Sequence, residues 1–278
     1  MKRVAFSPAR VALIAGNTFR EAMRQRLLVL LIMVAAIMVG GAQFLRDFHF
    51  GSSELKLLKD VGFGAVTFFG AILAIVAPAQ LFFGDIERRT ALTVLAKPVW
   101  RAEFIMGKLG GVLLLLMVFC TAMTMLLAGL IAWRETALMA AHPDAFETGW
   151  KAAYAALALC GLAQWLKLSV VAALTLFVAS YARSSLFAMM AGFVELVACQ
   201  LQYLARDFYG VVESGWARGG VWLLGLVLPD FQLFDVAEKV AAGETLSVGV
   251  IGGLAAYALA YLTVFSGLAV YCFRHREL

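Results

Sequence analysis

A chain of 278 residues that is 63% hydrophobic and only 15% charged, with a mean hydropathy of +0.89, lies far outside the composition of soluble domains. It reads as an all-α, polytopic membrane protein in a single domain over residues 1–278. The net charge of +5 does not point to nucleic acid, because the basic residues sit in short loops beside apolar segments, where membrane orientation accounts for them. Cys120, Cys160, Cys199 and Cys272 each lie inside an apolar segment without metal-ligand or redox spacing. They read as small buried hydrophobes. His49, His142 and His275 are scattered, so no pair of imidazoles is placed to bind a metal, and a metal or redox enzyme is disfavoured.

The first long apolar run begins only at Leu27 and no small-residue cleavage site follows soon after, so a cleavable signal peptide is not expected. Before it, Pro8 to Arg26 reads as an amphipathic helix. Val11, Ala15, Phe19, Ala22 and Met23 gather on one face at about 100° per residue, and Arg10, Arg20, Glu21 and Arg24 on the other, with Leu13 and Ile14 falling near the polar face. Such a helix either lies in the headgroup layer or offers its apolar pair and arginines to a soluble partner.

Six segments are long enough to cross a hydrocarbon core that needs about 20 residues each. They run from Leu27 to Leu45, Val61 to Phe83, Leu109 to Trp133, Ala152 to Tyr181, Leu186 to Leu204 and Val250 to Phe273. With both termini in the cytosol, fourteen basic residues fall on the cytosolic side and eight on the other. The positive-inside bias therefore predicts cytosolic termini, and the expected location is the cell (inner) membrane.

Between the second and third segments, Gly84 to Lys108 reads GDIERRTALTVLAKPVWRAEFIMGK. Asp85, Glu87, Arg88 and Arg89 open it, Thr90 stands at a helix N-cap position, and Ala91 to Ala96 favours one or two helical turns. Pro98 ends that helix and pushes Lys97 toward extended backbone. A short helix between two spans is a plausible lever, since force applied to it tilts both. The order of acid, x, acid, two residues, Thr90, an apolar run, Pro98, Arg101 and Gly107-Lys108 resembles the first cytoplasmic loop of type-2 ATP-binding-cassette permeases. Arg89 stands where that family often has Gly. The resemblance implies a coupling helix that contacts a cytosolic ATPase through Asp85, Glu87, Arg88, Arg89, Thr90, Leu92, Val94, Leu95, Lys97, Pro98 and Arg101. It further implies two ATPase copies, a second permease copy or a relative, and surrounding membrane lipids.

Lys167 and Glu195 lie near the middle of the fourth and fifth segments, where an ionisable group costs about 2.5–3.5 kcal/mol on insertion scales. The connection from Tyr181 to Ser185 makes these spans antiparallel neighbours, and counting back from it places Lys167 about 21 Å and Glu195 about 16 Å deep. Either the two form an ion pair that locks the helices, or with Gln164, Gln200 and Gln202 they line a polar path. Residues 206–249 form the outer loop before the last segment. Within it, Val221 to Leu228 is too short to cross and is stopped by Pro229, so it is either interfacial, anchored by Trp216 and Trp222, or re-entrant. The resemblance favours the re-entrant reading. Asp230 to Leu246 is expected to return along the outer surface.

No glycine-rich phosphate loop occurs, so ATP and its magnesium belong to a separate partner and the chain needs no cofactor. An intramembrane hydrolase or acyltransferase is disfavoured, since no histidine lies inside a span and no Gly-x-Ser-x-Gly occurs. A permease subunit of an ATP-driven exporter is the expected function. A passive channel subunit or a non-transporting assembly scaffold is the alternative, and it leaves the charged loop unexplained.

Overall fold

The computed structural model describes residues 6–41, 54–87, 100–141, 154–202, 216, 225, 227–236 and 248–275. Among these there are seven α-helices, one short 3-10 helix and no strand. They are α1 (Pro8–Met23), α2 (Arg26–Gly41), α3 (Glu54–Glu87), α4 (Arg101–Ala141), α5 (Tyr154–Tyr181), α6 (Ser185–Gln200), the 3-10 turn Phe231–Phe234, and α7 (Val248–Arg274). In hydrocarbon every backbone N–H and C=O must be satisfied within the segment, and a helix does this where an open strand cannot.

Helices occupy all six apolar segments. Four of them, α3, α4, α5 and α7, are each long and apolar enough to cross a membrane alone, and α1 with α2 form a pair bent by 61° that passes the same test jointly. The 16 residues of α6 span about 24 Å, short of a hydrocarbon core about 30 Å thick. By contrast, the 41 residues of α4 reach about 61 Å, so its ends must emerge from the core. The bend between α1 and α2 falls at Arg24 and Gln25, where i to i+3 bonds, Arg24 N–H to Glu21 O and Gln25 N–H to Ala22 O, close the first helix.

The centre of the bundle is α5, which packs on α3, α4, α6, α7 and the 3-10 turn. Its hydroxyls are taken up locally: Ser169, Thr175 and Ser180 donate to the carbonyls of Trp165, Val171 and Phe177. This back-bonding lets polar residues sit in an apolar core without orphaned groups. The short turn into α6 is fixed by Ser184, whose hydroxyl accepts from Phe187 N–H at 3.3 Å as an N-cap.

α1 lies against α4, and two glycines make the contact. A Cβ on Gly107 would sit 2.6 Å from Ile14 Cβ, and one on Gly111 would sit 2.6 Å from Thr18 Cβ and 2.8 Å from the Ala15 carbonyl. The pair Gly107 and Gly111 is thus a small-xxx-small seat. Ile14, expected near the polar face, instead belongs to the packed stripe with Ala15, Thr18 and Ala22, whereas Leu13 is 75% exposed.

Candidate functional site

At one end of the bundle, the start of α1, the end of α3, the start of α4 and the end of α7 converge on a set of charges. These helix ends are the two roots of the 84–108 loop and their neighbours. The loop's own turn, with Arg88, Arg89, Thr90, Leu92, Val94, Leu95, Lys97 and Pro98, lies outside the described residues, so the expected coupling helix itself is not described.

Glu103 stands in the first turn of α4 and is fully buried. Its Oε2 accepts from the backbone N–H of Trp100 at 3.0 Å, the reciprocal half of a capping box that satisfies a donor the helix start would leave orphaned. Its Oε1 accepts from Ser7 N–H at 2.7 Å and pairs with Arg10 at 3.1 Å. One carboxylate therefore caps α4 and anchors the start of α1.

Arg101 turns the other way. Its guanidinium donates to the carbonyls of Phe273 and Arg274, each at 2.8 Å, and stacks 5.6 Å from the Phe273 ring. Those carbonyls belong to the last turn of α7, where the backbone presents unpaired acceptors and partial negative charge. Lys108, only 2% exposed, pairs with Asp85 at 2.5 Å, lies 3.8 Å from Glu21, and donates to the Leu81 carbonyl at 3.1 Å. Beneath these charges Phe104 stacks on Phe273 at 5.8 Å and Phe82 meets Phe273 edge-on at 5.6 Å. Each such aromatic pair is worth about 0.5–1.5 kcal/mol beyond its buried area.

Of the residues expected to meet a partner, Asp85 and Arg101 are thus engaged within the chain, as braces at the loop's roots. Glu87 is exposed. Glu103 carries a sequence signal of its own: an acid three residues after the N-cap position, ahead of an apolar run.

The pairing expected of Lys167 and Glu195 is replaced by another. Lys167 Nζ, with a side chain 3% exposed, bonds Asp235 Oδ1 at 2.7 Å and lies 5.8 Å from the Phe231 ring. Glu195 Oε2 is buried with no hydrogen-bond partner among the described residues. The cause is residues 230–236, which pack into the bundle instead of lying on its surface as expected, while 237–246 lie outside the described residues. Phe231 and Phe234 are fully buried and Val236 is 2% exposed. Asp230 caps this turn through Gln232 N–H, and its own N–H donates to Tyr257 Oη at 2.8 Å. Gln164 accepts from Thr67 Oγ1 at 3.1 Å, and Gln202 donates to the Gly225 carbonyl at 3.1 Å, so both hold neighbouring segments together. Most of Val221 to Leu228 lies outside the described residues.

The cysteines are free, with Cys120, Cys160 and Cys199 buried. A search of the curated proteins returned no match. A family model described as ABC-2 family transporter protein matches residues 12–205, which takes in most of α1 and runs through α6, well over half of the chain. The all-helical architecture, the span-length apolar helices and this match together place the chain in the ABC-2 family of transporter proteins, a family of membrane transport components.

Proposed function

We propose that the chain is the permease subunit of an ATP-driven exporter, that it crosses the inner membrane six times with both termini in the cytosol, and that it works as one of two permeases. A separate cytosolic ATPase, in two copies, binds ATP and magnesium and docks on the loop between α3 and α4. The observation that carries this reading is the bracing of both loop roots. Asp85, Arg101, Glu103 and Lys108 tie them to α1 and α7 as well as to each other. A lever passes on force only if its roots do not yield, and a mere solvated connector needs no such bracing. Family membership supports the permease role, and the positive-inside count supports a cytosolic loop.

In this reading Leu92, Val94 and Leu95 supply the buried contact with the ATPase. Glu87 and the arginines beside it govern steering and orientation, as rim charges do. The test is co-purification with the ATPase and substrate-stimulated hydrolysis, in membranes where each variant inserts normally. Glu87→Lys should weaken association or uncouple hydrolysis, and Leu92→Asp should do so more severely, because it buries an unpaired charge. Wild-type association and coupling in both variants would refute docking on this loop.

A further inference from the structure

Three arginines stand at the elbow where α1 bends into α2. Arg20 lies in the last turn of α1, Arg24 is its C-cap and Arg26 opens α2. All three are exposed, and none makes an ion pair or a side-chain hydrogen bond among the described residues. The acids nearby are turned elsewhere: Glu103 holds Arg10, while Glu21 and Asp85 face Lys108. At about 100° per residue, Arg20 and Arg24 fall opposite the stripe of Ala15, Thr18 and Ala22 by which α1 packs. By the same count Arg26 shares a face of α2 with Leu30, Met33 and Ile37, each more than half exposed. The elbow thus sets cations that the described residues do not neutralise at the foot of an exposed apolar face.

We propose that the elbow binds an anionic phospholipid, its phosphate held by Arg20, Arg24 and Arg26 and its acyl chains lying along the exposed face of α2. The depth of the elbow supports a lipid. Glu21 lies 3.8 Å from Lys108, whose Nζ also bonds Asp85 and the Leu81 carbonyl, so this turn of α1 stands level with the last two turns of α3. A span ends there, and the phosphates of a bilayer lie just outside its hydrocarbon. From Arg26 the exposed face of α2 runs on through about three apolar turns, which hydrocarbon covers and a soluble partner does not. Charge then selects the headgroup. A guanidinium donates to phosphate oxygens as a planar fork. In a zwitterionic lipid the attached amine repels the same arginines, whereas phosphatidylglycerol brings no cation. This site rests on the chain's being a membrane protein and not on the docking of an ATPase, and it holds for either orientation of the chain in the bilayer.

The full chain is reconstituted in vesicles of equal parts phosphatidylcholine and phosphatidylglycerol, with a trace of one or the other carrying a diazirine beside the glycerol, then irradiated and digested. A basic residue near an anionic surface gains about fivefold in affinity, and the phosphate of phosphatidylcholine recovers part of that. Adducts on residues 20–33 should therefore favour phosphatidylglycerol about tenfold, against about one on the exposed face of α7, Leu259 to Leu268. Each of Arg20→Gln, Arg24→Gln and Arg26→Gln should lower the preference about twofold, and the three together should bring it to about one. Arg20→Lys, Arg24→Lys and Arg26→Lys together should keep most of it, since charge carries the selection. Arg183→Gln, which removes an exposed arginine from the turn between α5 and α6, should leave it unchanged. Unaltered phosphatidylcholine adducts on α7 certify that each variant inserts. Equal labelling of residues 20–33 by the two lipids in the wild type, or a preference that survives the triple Arg→Gln variant, would overturn the site. Shedding of a co-purified ATPase by that variant with the preference intact would give the arginines to a soluble partner instead. Displacement by inorganic phosphate would overturn the lipid as the ligand.

Discussion

Replacing Asp235 by Asn tests whether the ion pair at the centre of the bundle is the one the geometry indicates. Lys167 lies midway along α5 with a side chain only 3% exposed, and Asp235 is 33% exposed. Removing one partner of a fully buried pair costs about 3–5 kcal/mol, because the other charge stays buried and uncompensated. Two features reduce that figure here. Asp235 is partly solvated already, and the Phe231 ring 5.8 Å from Nζ keeps about 0.5–1 kcal/mol of cation–π attraction in place. We therefore expect Asp235→Asn to cost about 2–3 kcal/mol, which lowers Tm by roughly 5–10 °C in a chain of this size.

Lys167→Met is milder, about 1 kcal/mol, since the aspartate left behind can turn its exposed third to water. The double variant should recover about a third of the larger loss, a coupling of about 1.5–2 kcal/mol. Thermal unfolding of the purified protein in detergent, followed by intrinsic fluorescence, measures all four corners of the cycle. A second cycle with Glu195→Gln in place of Asp235→Asn should be additive within about 0.5 kcal/mol. Additivity with Asp235 combined with coupling to Glu195 would refute the assignment and restore the pairing that depth alone suggests.

Two further outcomes concern the loop roots. Gly107→Val and Gly111→Val should each lift α1 from α4 at a cost of about 1–3 kcal/mol, seen as faster proteolysis within residues 8–23, whereas Gly110→Ala should be tolerated, its Cβ lying at an ordinary 3.4 Å from Ala15 Cβ. Glu103→Gln keeps the shape but strips the charge that faces Arg10 and should cost about 2–3 kcal/mol in the same thermal assay, with Arg10→Gln milder and the double variant partly restored.

The sequence made the helices legible because their signal is composition and length, which the bilayer enforces on every span. It made azimuth far less legible. For α1, the wheel centred the apolar stripe on Val11 and Phe19 because Thr18 counts as polar and Ile14 lies beside Glu21. The true stripe is set by the partner: Gly107 and Gly111 accept whatever side chain is nearest, Thr18 included. For Lys167, rise per residue puts it near the middle of its helix but cannot say which of the neighbours around α5 it faces. The mixed composition of residues 230–246 read as surface chain. Yet Asp230 capping a turn with Phe231 and Phe234 three apart is a recognisable buried plug, once Lys167 is seen to need a carboxylate. The turn of the coupling loop, on which the docking proposal rests, lies outside the described residues.

Around the first two turns of α4, three charged residues reach three different neighbours. Arg101 holds the end of α7, Glu103 holds the start of α1, and Lys108 holds the end of α3 through Asp85 and Leu81. At about 100° per residue Glu103 points roughly opposite to Arg101 and Lys108, so the contacts leave from both sides of the helix rather than from one. Glu103 and Lys108 are almost wholly buried, and separating either from its partners would leave a charge stranded in a low-dielectric setting. Motion of α4 relative to α1, α3 or α7 at this end is therefore costly, while motion of all four together breaks none of these bonds. Under the proposed docking, a push on residues 88–99 would reach α4 and α3 directly and would carry α1 and α7 with them. The device that would make the loop a lever then lies at its two ends, in the charges that bind its roots.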